Sequence, residues 1–323
     1  LMILVTGAAG FIGSNIVASL NKKGYKKIIL CDWVDDINKK KNIEKLIYQK
    51  IIPPEKIIEY LNTPHNIELV IHMGANSSTT ETNFRLIYNI NTRFSKNLWK
   101  WCVNNHVRLI YASSAATYGD GKKGFDDSET QTYKPLNIYG LSKYLFDRYV
   151  IKQSKKGICP PQWVGLKFFN VYGPNEYHKG KMQSVIKHAV DQYKEYGRVN
   201  LFKSYNSEYL DGQQTRDFIY VDDCVSLINW LIENRNVSGI YNCGTSIERT
   251  FEDLVKAMFK SINIAPKIEY IAMPQNIRNQ YQYYTRANMN KIRKKGYHIK
   301  ALTLEEGVYK YVKNYLLAKD KYK

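Results

Sequence analysis

The sequence predicts an α/β protein: a doubly wound parallel sheet joined to a smaller α+β lobe. Three observations carry that expectation. An apolar run, Ile3 to Val5, opens the chain and breaks into glycines at Gly7, Gly10 and Gly13. Short apolar runs recur at 27–31, 68–72, 107–113 and 163–169, with longer, more polar segments between them. Strands alternating with helices imply a parallel sheet covered on both faces, with right-handed crossovers and ligands beyond the carboxyl ends of the strands. After Asn170 the pattern loosens into shorter elements and polar loops.

The first strand and its glycines come first in the chain and in the argument. Gly7 permits a tight turn, Gly10 lets backbone amides approach a pyrophosphate, and Gly13 lets helix and strand pack closely. The amides of Phe11, Ile12 and Gly13, at the positive end of a helix over 11–23, then hold phosphates. Asp32 ends the next apolar run, where a ribose hydroxyl would be met. Together these predict a Rossmann-type dinucleotide site.

Residues 34–62 are charged, and Pro53-Pro54 starts a helix over 55–61. A strand over 68–72 runs into Met73-Gly74-Ala75-Asn76-Ser77, and a long amphipathic segment spans 83–104. The strand at 107–113 ends in Ser113-Ser114, a helix covers 138–153, and a strand covers 163–169. Apolar runs at 217–221 and 239–243 read as strands returning to the first lobe. Helices are expected at 288–295 and 304–317, and residues 318–323 as a frayed end. The expected division is therefore 1–170 with 214–245 as the dinucleotide domain, and 171–213 with 246–323 as the substrate lobe.

At 323 residues, 44% hydrophobic and 24% charged, the chain reads as a soluble globular protein. It has no apolar segment near the roughly 18 to 20 residues that span a bilayer. The glycine-rich strand starts at once, leaving no room for a signal peptide. Five scattered cysteines, odd in number, argue for a reducing cytoplasm and against a metal site. The formal charge of +19 suggests nucleic acid, but the lysines are dispersed and runs such as Lys39–Lys41 lack interleaved aromatic recognition motifs. The expectation is no nucleic-acid partner and a positive field that draws an anionic substrate.

The chemistry-bearing stretch is Tyr139-Gly-Leu-Ser-Lys143, a phenol and an ammonium at i and i+4. A nearby cation stabilises phenolate, so the Tyr139 pKa is expected to fall and the residue to exchange a proton with a carbinol. Tyr118/Lys122, Tyr177/Lys181, Tyr309/Lys313 and Tyr315/Lys319 share the spacing, which alone means nothing. Tyr139 is singled out because it follows the strand whose Ser113-Ser114 hydroxyls would face the same cleft.

With the opening glycines, the motifs Ser114-Ala-Ala-Thr-Tyr118-Gly119, Tyr139-Gly-Leu-Ser-Lys143, Phe169-Asn170-Val-Tyr-Gly-Pro174 and Arg216-Asp217-Phe-Ile-Tyr-Val-Asp222 resemble the extended short-chain dehydrogenase/reductase superfamily. The resemblance covers nearly the whole chain in the right order. It implies a bound nicotinamide dinucleotide, a Ser114/Tyr139/Lys143 catalytic set and a nucleotide-sugar substrate. Ser77-Ser78-Thr79-Thr80-Glu81, Tyr177-His178-Lys179-Gly180 and Gln280-Tyr281-Gln282 are more particular. They resemble the ADP-L-glycero-D-manno-heptose 6-epimerases of lipopolysaccharide core precursor synthesis. That family implies two separate acid/base groups, matching Tyr139 and Lys179. Lys179 qualifies if burial or cationic neighbours such as Lys181 and Lys143 lower its pKa; otherwise it is a solvated loop lysine.

The same resemblance implies that Gly74, Ala75, Ser77 and Asn91 line the cofactor, joined by Lys143, Val171 and Lys179. Substrate contacts carry over to Ser114, Asn170, Lys181, His188, Phe202, Ser204, Arg216 and Tyr281, with Arg216 gripping a diphosphate. His188 could equally be packed at a lobe edge, and Asn91 could be a surface residue of its helix. Three departures stand out: Lys181 where a small serine is common, a longer 204–215 loop, and Trp33 after Asp32. Asp32 suits the free ribose of NAD, whereas Lys39 sits at the family's basic position for NADP, which is favoured. A homo-oligomer, a pentamer or a multiple of it, is implied. Two rivals stay open: a sibling 4-epimerase or 4,6-dehydratase, though Ala115-Ala116 lacks the dehydratase acidic pair, and a cofactor-sensing protein without turnover.

Overall fold

The computed structural model describes residues 1–128, 132–278 and 281–323, apart from the side chain of Asn276. Its main sheet is wholly parallel: β1 (Met2–Thr6), β2 (Ile28–Cys31), β3 (Lys50–Ile52), β4 (Ile67–His72), β5 (Arg108–Ser114), β6 (Trp163–Phe168) and β7 (Gly239–Cys243), in the spatial order β7-β6-β5-β4-β1-β2-β3. Val5 of β1 stands beside Leu30 on one side and Ile71 on the other. Winding reverses between β1 and β4, so the loops leaving those strands diverge and open a crevice at their carboxyl ends.

Ile3, Leu4 and Val5 are all fully buried, because successive side chains point to opposite faces and helices cover both. Ile3 and Val5 join one core with Leu30 and Leu69; Leu4 joins the other with Ile29, Val70 and Leu109. Against these two cores pack α1 (Phe11–Lys22), α2 (Ile37–Ile43), α3 (Pro54–Leu61), α4 (Phe94–Asn104), α5 (Ile138–Ser154) and α7 (Val221–Glu233), while α6 (Val185–Tyr196), α8 (Phe251–Ser261) and α9 (Leu304–Tyr311) lie away from the main sheet. A third core gathers Ile186, Val190, Leu201, Phe218, Leu254, Phe259, Val308 and Tyr311.

Several expectations change. The charged stretch 34–62 hides α2, capped by the Asp36 side chain, and the short edge strand β3. Lysines on α2 and a three-residue strand offered no period to read. The segment 83–104 is broken by a π-turn at Tyr88–Arg93, and the last helix also runs into one at Val312–Leu316. The helix expected at 288–295 is a single turn, Asn290–Arg293. Phe218–Tyr220 pairs with Asn170–Tyr172 in a separate small sheet, while β7 does join the main sheet.

Residues 318–323 are not frayed. The Tyr322 hydroxyl donates to Asn38 Oδ1 at 2.7 Å, and the Lys323 amide donates to Asn175 Oδ1 at 3.1 Å. Long-range partners on two elements, invisible to local sequence, hold this segment. Among the described residues no helix is long and apolar enough to cross a membrane.

Candidate active site

A cavity of about 1220 Å³ opens at the carboxyl ends of the central strands. One wall of it is set by the first turn of the chain. Gly7 has φ +64, and a Cβ there would lie 2.6 Å from the Gly74 amide nitrogen. A Cβ on Gly13 would lie 2.0 Å from the Gly7 carbonyl oxygen, so only glycine lets α1 approach β1. α1 starts at Gly10 with no side-chain cap and no acidic residue in its first turn. By contrast α2, α5, α6, α8 and α9 all begin on a capping side chain. Uncapped amides at a positive helix end, reached through a cradle without Cβ atoms, fit the pyrophosphate of a dinucleotide.

Gly10, Phe11, Ile12, Gly13, Gly74, Ala75 and Ser77 all line this cavity, as do Asp32, Trp33 and Lys39. Asp32 accepts from the Ala9 amide at 2.9 Å and the Trp33 amide at 2.8 Å, and pairs with Lys39 Nζ at 2.8 Å. Trp33 donates its indole N–H to Glu55 Oε2 at 2.9 Å. Asn91 stands behind the wall instead of on it. It is fully buried, accepts from the Asn76 amide at 2.8 Å and donates to the Asn76 carbonyl at 2.9 Å and to Ser142 Oγ at 3.0 Å. Asn91 thus shapes the 73–78 loop from a π-turn, which an amphipathic pattern alone does not reveal.

Tyr139 lies in the first turn of α5, whose start is capped by Asn137 accepting from the Gly140 amide at 2.8 Å. Gly140 packs against the turn after β5: a Cβ there would sit 2.6 Å from the Ala116 carbonyl oxygen. This close approach joins Tyr139 to Ser114, with which its hydroxyl is hydrogen-bonded. Contrary to expectation, burial pushes the Tyr139 pKa up, and the Ser114 bond only partly opposes it. The Lys143 ammonium donates to the Ala112 carbonyl at 2.8 Å. Burial brings its pKa down to about 8, against the pull of Asp147 one turn away.

Lys179 reaches the same cavity from a different element, the short helical turn Tyr177–Met182. Its ammonium lies 5.4 Å from the Phe11 ring centroid. Burial lowers its pKa, and Glu176 opposes the fall; burial, rather than Lys181 or Lys143, supplies the shift. Glu176 is itself fully buried, accepting from Ser184 Oγ at 2.6 Å and Tyr311 hydroxyl at 2.8 Å.

Val171, Asn170, Lys181, His188, Phe202, Arg216 and Tyr281 also line the cavity. Asn170 Oδ1 accepts from Thr285 Oγ1 at 3.4 Å. The Arg216 guanidinium lies 5.3 Å from the Phe251 ring centroid and 5.2 Å from that of Tyr281, and it donates to the Thr215 carbonyl at 2.9 Å. Ser204 is not brought in. Its hydroxyl donates to the Asn206 carbonyl at 2.9 Å and its amide to Asp211, closing the 204–211 loop outside the main cavity. Gln280 lies outside the described residues.

Sequence reasoning missed Phe251, whose ring lies against the Arg216 guanidinium, and His178, which lines the cavity beside Lys179. It also missed Asn42, a fully buried side chain that donates to the Ala9 carbonyl at 2.9 Å and the Asn175 carbonyl at 3.0 Å. Only the adjacency of His178 to Lys179 was a usable signal.

The sequence profile of the NAD dependent epimerase/dehydratase family matches residues 3–244. An ADP-L-glycero-D-manno-heptose-6-epimerase from Fusobacterium nucleatum is 45% identical over 334 residues, covering 99% of this chain and 100% of that one. The solved ADP-L-glycero-D-manno-heptose-6-epimerase of Helicobacter pylori superposes with a TM-score of 0.81 at 26% identity, covering 97% and 95% of the two chains. A Thermus thermophilus UDP-glucose 4-epimerase solved with NAD gives 0.77 at 25% identity, covering 97% and 98%. With the glycine cradle, the Ser114/Tyr139/Lys143 set and these near-full-length likenesses together, the chain belongs to the NAD dependent epimerase/dehydratase family.

Proposed function

We propose that this protein inverts carbon 6 of an ADP-linked heptose, converting ADP-D-glycero-D-manno-heptose to ADP-L-glycero-D-manno-heptose through a transient 6-keto sugar, for lipopolysaccharide core precursor synthesis. The 45% identity to a relative of that name over the full length supports the reading. The single observation that carries the mechanism is that Tyr139 and Lys179, from separate elements, line one cavity.

Gly7, Gly10, Gly13, Asp32 and Lys39 would hold a nicotinamide dinucleotide, which would supply a reversible hydride acceptor for the carbinol carbon. Inversion requires the 6-keto carbonyl to present its other face, so its oxygen meets a different proton source on the way back. Tyr139 and Lys179 are the two sources. Burial strengthens the hold of Tyr139 on its proton and weakens that of Lys179, so one donates while the other accepts. Ser114 orients the Tyr139 hydroxyl, and Arg216 grips the diphosphate as a fork. Residues 1–170 and 214–245 act as the dinucleotide domain, 171–213 and 246–323 as the substrate lobe.

The dinucleotide is NADP in this reading. Lys39 neutralises Asp32, so a 2′-phosphate would not meet a bare carboxylate. Replacing Lys39 by alanine should weaken NADPH binding more than NADH binding; equal effects would favour NAD. The assembly is a homo-oligomer, a pentamer or a multiple, working in the cytoplasm; light scattering of the purified protein tests the first of these.

The decisive experiment follows carbon 6 in deuterated water. Turnover without deuterium at that carbon is expected, because the carbon-bound hydrogen returns. Substantial incorporation there sinks the oxidation–reduction route. Lys179→Met should abolish epimerisation, whereas unchanged turnover would point to a 4-epimerase needing a single acid/base group.

A further inference from the structure

Residues 320–323 touch the two elements that carry Lys39 and Lys179. On the α2 side, Tyr322 hydroxyl donates to Asn38, the neighbour of Lys39, at 2.7 Å. Lys45 Nζ donates to the Tyr322 carbonyl at 3.0 Å and also pairs with Asp320. Lys41 Nζ lies 5.7 Å from the Tyr322 ring centroid. On the side of the Lys179 turn, Tyr177 hydroxyl donates to the Lys321 carbonyl at 2.7 Å, and the Tyr177 and Tyr322 rings meet edge to face at 5.2 Å. The Lys323 amide donates to Asn175 Oδ1, and its ammonium pairs with Asp222 at the start of α7.

Neither element is stable by itself. α2 has seven residues, below the length at which a helix persists alone. The Lys179 turn is a short helix interrupted at Gly180, with φ 52 and ψ −123. Beneath both, Asn42 of α2 bridges the Ala9 and Asn175 carbonyls, so displacement of α2 reaches the phosphate loop and the Lys179 turn together.

We propose that Tyr322 is a positioning residue that holds the Lys39 helix and the Lys179 turn in one register, coupling dinucleotide binding to proton transfer. The coupling half rests on the reading of Lys179 as the second acid/base group. Because coupling between sites is reciprocal, occupancy of the dinucleotide site should in turn tighten the contacts of Tyr322.

The test uses the full chain with three variants and three readouts. The readouts are the Kd for NADPH and for NADH from nucleotide fluorescence, kcat on ADP-heptose, and the thermal midpoint. Tyr322→Ala should weaken NADPH binding and lower kcat, each about tenfold, as expected for loss of one hydrogen bond together with the ring contacts to Tyr177 and Lys41. Tyr322→Phe, which keeps the ring but not the Asn38 bond, should weaken binding about threefold and leave kcat within twofold. Tyr177→Phe, which loses the Lys321 bond, should lower kcat about threefold and leave binding within twofold. Both parameters staying within twofold in Tyr322→Ala overturns the proposal. So does a fall in thermal midpoint that accounts for both losses, with no split between the two phenylalanine variants. Full turnover in Lys179→Met removes the acid/base reading alone, and the binding measurements then still decide whether Tyr322 sets the Lys39 helix.

Discussion

Tyr139 and Lys179 open into one cavity, yet they are supported by different means. Tyr139 sits at the start of a 17-residue helix whose neighbours are the end of β5 and the turn after it. Its cap, its close-approach glycine and its Ser114 partner all come from residues 114–143. Lys179 sits on a short turn held by Glu176, by Asn42 from α2 and by residues 321–323. One group is set by a compact stretch of chain; the other is set by segments more than 130 residues apart. A side chain placed the first way survives changes elsewhere, whereas one placed the second way inherits the stability of every piece that holds it.

The largest expected effect is at the locally built side. Tyr139→Phe should lower turnover by about 10³-fold, with NADPH affinity within twofold of the parent. Turnover within tenfold of the parent would mean that the locally held group is not the proton source. Next comes the cradle shared by both groups. Gly13→Ala puts a Cβ 2.0 Å from the Gly7 oxygen, and should cost roughly 100-fold in dinucleotide affinity, in keeping with severe overpacking. Fluorescence titration checks it, and unchanged affinity would break the account of the cradle.

A smaller effect separates stability from chemistry. His72 at the end of β4 is hydrogen-bonded to Thr6 Oγ1 at 2.6 Å and Ser95 Oγ at 2.7 Å, and burial and then Lys143 push its pKa down to about 3. Its unfolded value is near 6.5, so below that pH the unfolded chain takes up a proton that the folded chain refuses. Stability therefore falls as pH drops from 6.5 toward 3, by about 1.4 kcal/mol per unit, or about 2 kcal/mol at pH 5. Urea unfolding of the parent and of His72→Gln at pH 7.5 and 5 should show the parent losing that much more than the variant. Equal losses would mean that His72 takes up its proton within the fold.

The smallest effect sharpens the contrast directly. Glu176→Gln removes the carboxyl group that partly offsets the fall in the Lys179 pKa. The Lys179 limb of the kcat–pH profile should move to lower pH, and the Tyr139 limb should stay. Movement of both limbs together would mean that the two groups titrate as a coupled pair.

Legibility in the sequence follows the same divide. The glycine cradle, the buried strands, Ser114, Tyr139 and Arg216 could be found from the residues because each belongs to a short motif with its own mechanical reason. Ser204 was placed with the substrate contacts and instead closes its own loop, since a loop's path depends on what it packs against. Asn91 was expected along the cofactor and lies behind the wall, because a π-turn rotates the residues within it relative to an α-helical pattern. The direction of the Tyr139 shift was misjudged. A nearby lysine argues for a lower value, but burial is the larger effect, and only packing reveals burial.

The chain alone determined that a parallel, doubly wound sheet would form and that its first turn would be built on closely packed glycines at the cavity. Strand alternation, β-strand burial and the absence of side chains at three glycines are local facts. Tertiary structure decided which second cation would share the cleft with the phenol, how far burial would move its proton affinity, and that residues 320–323 would bind α2 and the Lys179 turn. Those outcomes depend on distances between segments far apart along the chain, and on water excluded when they meet. Neither quantity is written in any window of sequence.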